Sequence, residues 1–576
     1  MYEYVQLVTG ERVDGKVRQR VVVTLGRLDE LKASGQLDRW AGAFARLDPP
    51  PVGTRREVGA LLLVNHYLQR LGLVKLIDAA APMRGKSLLT HGEVIAALVA
   101  NRLSAPAPLY DVAGWAGQAA IAELLAVPAG LLNDDRLGRA LQAFHPVAED
   151  LRGRLLLTTL DTFDVDASRL HLDLTTIRFA GAYPDSTLVA KGWGSDRTVA
   201  RQVRTLQAST PDGVALYLRP HKGSEAELTC LGHALERLQS LTRPGLVIVA
   251  DSAFGHLSSL CAADRTGLRF VVPLRADTGW AARFDSDVPG GIDALADLDH
   301  LAERERHLPP ERRTRWRGQL TAYPVIDPKT GSSHQFQVAY IWSSEEAASV
   351  AEARERALTK AEEELTRVRN GLGGRHYKTL EQVRTKVARI VHPRISTLLS
   401  VVTGTDPATG KLTLTWHREP AAITDASRLD GLYALATNQT GALTAASVLD
   451  TYKDQWIVEQ RHRDLKRAAP LRVRPVFLHN DDRIEALLGV VGIALLIFGL
   501  IEADLRHRLP DAQQRLPGLL PEGRAAKPTG RNILAAFNGL GFTYNHTGPV
   551  LDRLTPTQRQ ILALLDIPLP WIESTD

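Results

Sequence analysis

The stretch "YKDQWIVEQRHRDLKR", residues 452–467, places one carboxylate, Glu459, among several Lys and Arg side chains. Residues at steps of three or four along it would share one face of an α-helix. The residues at those steps are Tyr452, Gln455 with Trp456 beside it, Glu459, Arg463 and Lys466. Two interpretations fit this pattern. Either the helix has a solvated face with i,i+4 ion pairs, or the carboxylate binds a metal among cations that bind phosphate.

Two strand-like stretches each contain an aspartate. In "RLHLDLTTIRF", residues 169–179, alternation puts Asp173 on the face opposite the leucines. In "LVIVADSAF", residues 246–254, an apolar run leads directly into Asp251, at the carboxyl end of a buried strand. Ligands of open α/β sheets bind at that edge. Taken singly, each aspartate is also explained by a strand-end turn or a helix cap.

The carboxylates of Asp173, Asp251 and Glu459 are suitable ligands for divalent metal ions. Three carboxylates from two strands and a helix would hold two Mg²⁺ ions, which prefer octahedral oxygen ligands and keep positions for water and phosphate. The cations around Glu459 would then grip a DNA backbone.

The helical stretch also resembles a family signature. Residues 452–466 match the Y-x-x-R-x-x-x-E-x-x-x-x-x-x-K pattern of the DDE transposases of bacterial insertion sequences at Tyr452, Glu459 and Lys466. Gln455 stands where the family usually has Arg, so part of the charge that binds a phosphate is missing. Either a neighbour supplies it, with Arg463 the nearest candidate, or the enzyme is slower than its relatives.

Three more stretches carry the resemblance. The strands with Asp173 and Asp251 look like the first and second Asp sites of that family, and the order Asp, Asp, long insertion, Glu agrees. The stretch "LNDDRLGRALQAF", residues 132–144, resembles the helical domain that precedes the core in one branch, with Asn133 as a capping candidate.

The resemblance implies an α/β fold with an RNase H-like, retroviral-integrase-like catalytic core. Asp173, Asp251 and Glu459 would be both catalytic and metal-binding, holding two divalent ions, Mg²⁺ with Mn²⁺ as a substitute. Tyr452, Gln455, Arg463 and Lys466 would contact DNA. The implied partners are terminal inverted repeats and target DNA, bound by a homodimer on paired ends. Two other classes remain open: another RNase H-like nuclease or resolvase, or a catalytically inactive DNA-binding descendant.

Changes in pattern along the chain predict six segments. A β-rich arm and a helical, DNA-binding domain precede a catalytic core that a β-rich insertion interrupts, and an appendage follows. The expected boundaries are 1–50 for the arm, 51–152 for the helical domain, 153–274 and 426–508 for the two parts of the core, 275–425 for the insertion and 509–576 for the appendage.

A second basic stretch, "RRTRWRG", lies inside the expected insertion. Arg313, Arg315 and Trp316 form a basic–aromatic pattern that would grip a phosphate backbone or stack on an unpaired base. A solvated strand edge explains it equally well. The chain contains no G-x-x-x-x-G-K-[ST] loop, so ATP dependence is not expected.

Composition is that of a globular protein of several domains. The net charge of +5 over 576 residues is modest, so only local clusters of Lys and Arg argue for nucleic acid. Cys230 and Cys261 have no CxxC or Cys/His zinc spacing, which supports neither a disulfide framework nor a structural zinc. The apolar run Ala486–Ile501 is too short for a membrane span and predicts a buried helix. A cytoplasmic, nucleoid-associated protein without membrane contact is expected.

Overall fold

The chain begins with a β-hairpin. The structure, a computed structural model, describes residues 3–13, 16–33, 50–83, 87–194, 198–241, 245–454, 456–467, 476–510 and 514–574. Antiparallel strands β1 (Tyr4–Val13) and β2 (Lys16–Arg27) are followed by helix α1 (Leu28–Ala33). The expected Asp-Gly turn lies outside the described residues, but Val13 pairs with Lys16, which is the register of a two-residue loop.

A helical region follows, as expected. It opens with a short strand, β3 (Arg55–Glu57). The Asn133 side chain accepts a 2.9 Å hydrogen bond from the backbone N–H of Arg136, so the predicted helix cap is confirmed. The helices are α2 (Leu61–Arg70), α3 (Leu73–Ala80), α4 (His91–Ser104), α5 (Val112–Gln118), α6 (Ile121–Leu125), α7 (Asp134–Phe144) and α8 (Ala148–Phe163).

A ten-stranded mixed sheet forms the centre of the protein. Its strands are β4 (Arg169–Arg178), β5 (Ala190–Trp193), β6 (Val199–Ser209), β7 (Ala215–Lys222), β8 (Val247–Val249), β9 (Arg269–Pro273), β10 (Ala296–Leu298), β11 (Trp316–Ile326), β12 (Ser333–Ser343) and β15 (Leu432–Thr437). Helices α9 (Glu227–Leu241), α10 (Leu257–Arg265) and α11 (Trp280–Asp287) connect them. A chain of mixed strands and helices therefore builds one large sheet, as the α/β prediction requires.

The strand order explains how distant segments meet. It runs β10-β11-β12-β15-β9-β8-β4-β6-β5, with β7 also paired to β6. Strands β4, β8 and β9 are parallel neighbours, whereas β6 runs antiparallel to β4. Strand β15 pairs antiparallel with β9, which confirms that the stretches around residues 270 and 434 are adjacent.

The expected insertion boundary at residue 275 is wrong. Strands β10, β11 and β12 lie within the predicted insertion, yet they extend the central sheet beyond β15. The physical reason is that β12 pairs with β15 along its second half, from Gln337 to Trp342, so its backbone hydrogen bonds are satisfied only inside the sheet. A sequence reading of short strands in a Pro- and Gly-containing segment cannot tell which sheet they join.

A smaller unit does stand apart, between residues 344 and 427. It consists of a long helix α12 (Ser344–Asn370), helix α13 (Leu380–Ile390), the antiparallel hairpin β13 (Leu399–Thr405) and β14 (Leu412–Arg418), and helix α14 (Pro420–Ser427). Its core is separate from the main one and is formed by residues such as Leu358, Leu365, Val383 and Leu414. This unit, closed by its own apolar core, is the part of the expected insertion that forms a module.

The apolar helix is buried in the main core. Three helices follow β15: α15 (Ala445–Lys453), α16 (Trp456–Arg467) and α17 (Asp481–Arg508). Helix α17 packs against β7, α4 and α7. It is long and apolar enough to cross a membrane, but 89% of its most apolar window is buried inside the protein, as predicted for a core helix.

The C-terminal residues are folded onto the helical region. Helix α18 (Gly530–Ala535), strands β16 (Gly541–Asn545) and β17 (Gly548–Leu551), helix α19 (Pro556–Leu564) and strand β18 (Ile572–Glu573) follow α17. The sheet order β18-β17-β16-β3 pairs this segment with residues near the start of the helical region. The expected loop-containing appendage is therefore part of the same body as the helical domain.

Candidate active site

Two aspartates lie side by side at one edge of the sheet. Strands β4 and β8 are parallel and pair Arg169 with Val247 and His171 with Val249. If the register continues for two more residues on each strand, Asp173 lies opposite Asp251. The strand ends of a parallel pair meet at one edge, where open α/β sheets bind ligands.

Each aspartate is held by backbone close to it. The Leu174 N–H donates to Asp173 Oδ1 at 2.8 Å, and the Ala253 N–H donates to Asp251 Oδ1 at 2.9 Å. Although Asp251 reaches solvent, partial burial and then the Asp173 carboxylate raise the pKa of Asp251 to about 6. Two neighbouring carboxylates repel each other when both are ionised, and a bound cation would offset this repulsion.

The segment with the third carboxylate is two helices rather than one. Helix α15 ends at Lys453 and α16 begins at Trp456, so the expected single helix is wrong; Gln455 lies outside the described residues. Tyr452 lies in the last turn of α15. Burial, and then the carboxylates of Asp251, Glu459 and Asp173, raise its pKa to about 12. The three acids of the expected triad are therefore all in the neighbourhood of one tyrosine.

Glu459 and Asp173 open onto a common cleft. The cleft has a volume of about 410 Å³ and is lined also by Trp193, Arg204, Glu227, His462 and Lys466. Helix α16 buries Val458 and Leu465 and leaves Glu459, Arg463 and Lys466 exposed. One face of α16 therefore packs on the core, and another face is exposed.

His462 is a site residue that the sequence analysis missed. Its Nδ1 lies 3.1 Å from Asp173 Oδ2, and the residue is only 7% exposed. Its Nε2 is buried without a hydrogen-bond partner among the described residues. The available signal was its position three residues after Glu459, which places both side chains on the cleft side of the helix. This contact fixes the orientation of the Asp173 carboxylate.

The three carboxylates are suitable ligands for divalent ions, but their oxygen atoms do not all converge on one position. Within the described residues, the carboxylates of Asp173, Asp251 and Glu459 do not form a group whose ligand atoms all lie within 4.8 Å of one another. Carboxylate oxygens are nevertheless the ligand type that hard divalent cations prefer.

One cation of the signature stretch is buried and cannot grip DNA. Arg461 is 1% exposed, and its Nη1 lies 3.0 Å from Glu502 Oε2 and 3.2 Å from Asp464 Oδ2. Its Nε donates to Gly213 O at 2.7 Å. Gly213 has φ +83°, and a Cβ there would press on the guanidinium. Arg461 therefore locks α16 onto the core, a role that helical spacing alone did not reveal.

The basic–aromatic stretch is only partly available to a ligand. Trp316 is 6% exposed, His300 packs edge-on against its ring, and the Lys453 Nζ lies 4.6 Å from the ring centroid. The expectation that Trp316 stacks on a base is therefore wrong, because the indole is buried and packs against His300 and Lys453. Arg313 donates from Nε to Leu308 O at 2.8 Å and is half-buried, while Arg315 is exposed.

The chain matches three protein-family models. Residues 161–497, more than half of the chain, match the family described as the transposase DDE domain. Residues 1–48 match the N-terminal domain of IS1634 family transposases, and residues 54–150 match a domain of unknown function, DUF4277. No curated protein matches the chain in sequence.

Proposed function

Because the chain belongs to the DDE transposase family of insertion sequences, we propose that it cleaves DNA at the ends of such an element and joins them to target DNA. A DNA transposase of this family is a DNA-cleaving enzyme that depends on divalent metal. The observation that supports the finer mechanism is that the register of β4 against β8 sets Asp173 opposite Asp251, while Glu459 of α16 lines the same cleft as Asp173.

The central sheet supports an RNase H-like core. Strands β7, β6 and β4 are successive antiparallel neighbours, and β4, β8 and β9 continue in parallel. Asp173 lies on β4, the central strand of this order, and Asp251 follows the end of its parallel neighbour β8. Glu459 lies on helix α16, which packs against β4. That arrangement supplies ligands from elements far apart in sequence to a single edge of the sheet.

In this mechanism the acids would hold two Mg²⁺ ions, with Mn²⁺ as a substitute. The ions would supply Lewis acidity to the scissile phosphodiester and to the attacking oxygen. Asp173 and Asp251 would bind metal from the strand ends, and Glu459 from α16. His462 would keep the Asp173 carboxylate turned toward the cleft, and the protonated Tyr452 would donate a hydrogen bond beside it.

Exposed cations beside the acids would position the DNA. Arg463 and Lys466 are exposed on α16, one and two turns after Glu459, and Lys466 lines the cleft. Each would contact a backbone phosphate. Gln455, outside the described residues, would donate hydrogen bonds without charge, and Arg463 would compensate for the Arg that the family usually has there. Gln455→Arg should therefore raise activity little.

A strand-transfer assay tests the function. The purified chain with Mg²⁺ would be incubated with a duplex carrying the inverted repeats that flank its gene, together with a supercoiled plasmid. Joined products that disappear with a chelator, while binding of the ends persists, are the expected result. Cleavage without joining would instead indicate a nuclease or resolvase, and binding alone an inactive descendant.

Salt dependence checks the phosphate contacts. Arg463→Ala and Arg315→Ala are each expected to weaken DNA binding and to lower the slope of log affinity against log salt by about 0.9 for each phosphate that the side chain neutralises. Arg356→Ala serves as the matched control, because that exposed arginine pairs with Glu352 at 3.1 Å on α12, away from the cleft. A slope unchanged by Arg463→Ala would remove that residue from the interface.

The surrounding parts would organise the DNA complex. We assign end binding to the helical region, residues 51–152, and propose a homodimer on paired ends, without ATP. A cytoplasmic, nucleoid-associated location fits an enzyme whose substrates are terminal repeats and target DNA. Comparing the mass of the free protein with that of its complex on paired ends checks the dimer directly.

A further inference from the structure

A second group of metal-ligand side chains lies where strand β7 leads into helix α9. His221 is the last residue but one of β7, Glu225 lies in the turn that follows, and Cys230 is in the first turn of α9. One ligand atom from each of these three lies within 4.8 Å of the other two. His233, one turn further along α9, brings its Nδ1 to 3.8 Å from Glu225 Oε1. We call these four residues the His–Glu–Cys cluster.

Two members of the cluster are buried, and one of their polar atoms is not satisfied by the described part of the protein. Cys230 is fully buried and His221 is 5% exposed. His221 Nδ1 lies 3.4 Å from Glu225 Oε2, but His221 Nε2 has no hydrogen-bond partner among the described residues. Leaving a buried polar nitrogen unpaired is costly, so such a group usually marks a ligand or a strained position.

The turn that presents the cluster is held in place by its backbone. Glu225 N–H donates to Lys222 O at 2.9 Å, and Gly223 N–H donates to Leu188 O at 3.0 Å. A Cβ on Gly223 would overlap the backbone oxygen of Gln202. The strand end and the helix start are therefore fixed close together before any ligand binds.

We propose that His221, Glu225, Cys230 and His233 bind one Zn²⁺ ion that clamps the end of β7 to the start of α9. Two imidazoles, a carboxylate and a thiolate are zinc ligands, and metal–ligand distances of about 2.0–2.3 Å require neighbouring donors about 3.3–3.8 Å apart. His233 Nδ1 lies 3.8 Å from Glu225 Oε1, within that range, and the unpaired His221 Nε2 is the imidazole nitrogen left to bind the ion. Mg²⁺ and Ca²⁺ prefer all-oxygen sites, so the ion differs from those at the acids.

The nearby Arg204 guanidinium is directed to Glu227, at 3.3 Å, so it pairs with a carboxylate outside the cluster.

The other such group in the described residues is a useful contrast. Cys261, Asp327 and His334 also lie within 4.8 Å of one another. However, Asp327 accepts hydrogen bonds from Arg265, Thr330 and the backbone of Lys329, and both ring nitrogens of His334 contact Ser332 or Asp264. Protein partners already satisfy that group, and Arg265 would repel a cation.

Cobalt substitution of the full chain tests the proposal. After chelation, the protein would be titrated with Co²⁺, whose bond to a thiolate gives a charge-transfer absorption. One equivalent is expected to produce this band, and Zn²⁺ is expected to remove it. Cys230→Ser should abolish the band, whereas Cys261→Ser should retain it.

Two further measurements keep the test decisive if Cys230→Ser does not fold. His233→Gln alters a half-exposed side chain and is expected to fold, yet to weaken Zn²⁺ binding at least tenfold, which is about 1.4 kcal/mol. Zn²⁺ should also raise the melting temperature of the parent chain more than that of His233→Gln. Absence of the band in the parent, its loss in Cys261→Ser, or unchanged Zn²⁺ affinity in His233→Gln would overturn the proposal.

Discussion

Asp251→Asn is expected to reduce the rate of DNA-end cleavage by about 10³-fold or more, because metal ligation contributes several kcal/mol to the barrier and each 1.4 kcal/mol is tenfold. Binding of the ends should change little, since the carboxylate removed is a metal ligand and does not touch phosphate. Cleavage of a labelled terminal-repeat duplex, measured beside its binding affinity, separates the two effects. Cleavage at the parent rate would remove Asp251 from the catalytic site.

The same variant has a second readout that does not depend on activity. The pKa of Asp251 is raised to about 6 in the folded chain, so its carboxyl stabilises the fold when protonated and loses that contribution as pH rises through 6. Without divalent metal at pH 7.5, Asp251→Asn should therefore melt no lower than the parent. Asp299→Asn, which removes one charge from an exposed residue, is the control and should cleave normally.

Glu502→Gln is expected to lower the free energy of unfolding by about 3–5 kcal/mol, because it leaves buried cations without their partner. Glu502 is 2% exposed and contacts Arg461 at 3.0 Å and Arg506 at 2.7 Å; it also accepts a hydrogen bond from the Gly530 N–H at 2.7 Å. Urea unfolding followed by circular dichroism measures the loss. Cleavage should fall as well, because this network anchors the helix that presents Glu459.

A double-mutant cycle distinguishes the network from simple loss of packing. The double variant Arg461→Gln/Glu502→Gln should lose clearly less free energy of unfolding than the sum of the two single variants. In each single variant one buried charge keeps no partner from this pair, whereas the double variant removes both charges. Arg463→Ala, on the exposed side of the same helix, should stay within about 0.5 kcal/mol of the parent. Additive losses for the pair would mean that the two side chains act independently.

Local patterns predicted much of the architecture. Alternation identified the strand with Asp173, an apolar run identified the strand that ends before Asp251, and the length and composition of residues 486–501 predicted the buried helix. These predictions succeeded because strand and helix periodicity are properties of neighbouring residues. The match of Glu459 and its spacing to a family signature also pointed to the family that the comparison identified.

Predictions that depended on partners distant in sequence failed more often. Trp316 was expected at a ligand surface but is covered by His300 and Lys453. The boundary at residue 275 failed because β12 finds its hydrogen-bond partner in β15, nearly a hundred residues later. His462 was overlooked because its significance depends on Asp173, which lies on another element.

The sequence by itself determined the α/β class, the buried helix, and which carboxylates and cations were candidates for the site. The tertiary structure decided which of those residues meet. The register of β4 against β8 brings Asp173 beside Asp251, the packing of α16 divides buried Arg461 from exposed Arg463, and the turn after β7 gathers His221, Glu225 and Cys230. The physical reason is that periodicity fixes which side of an element a residue occupies, whereas long-range pairing and burial fix what that side faces.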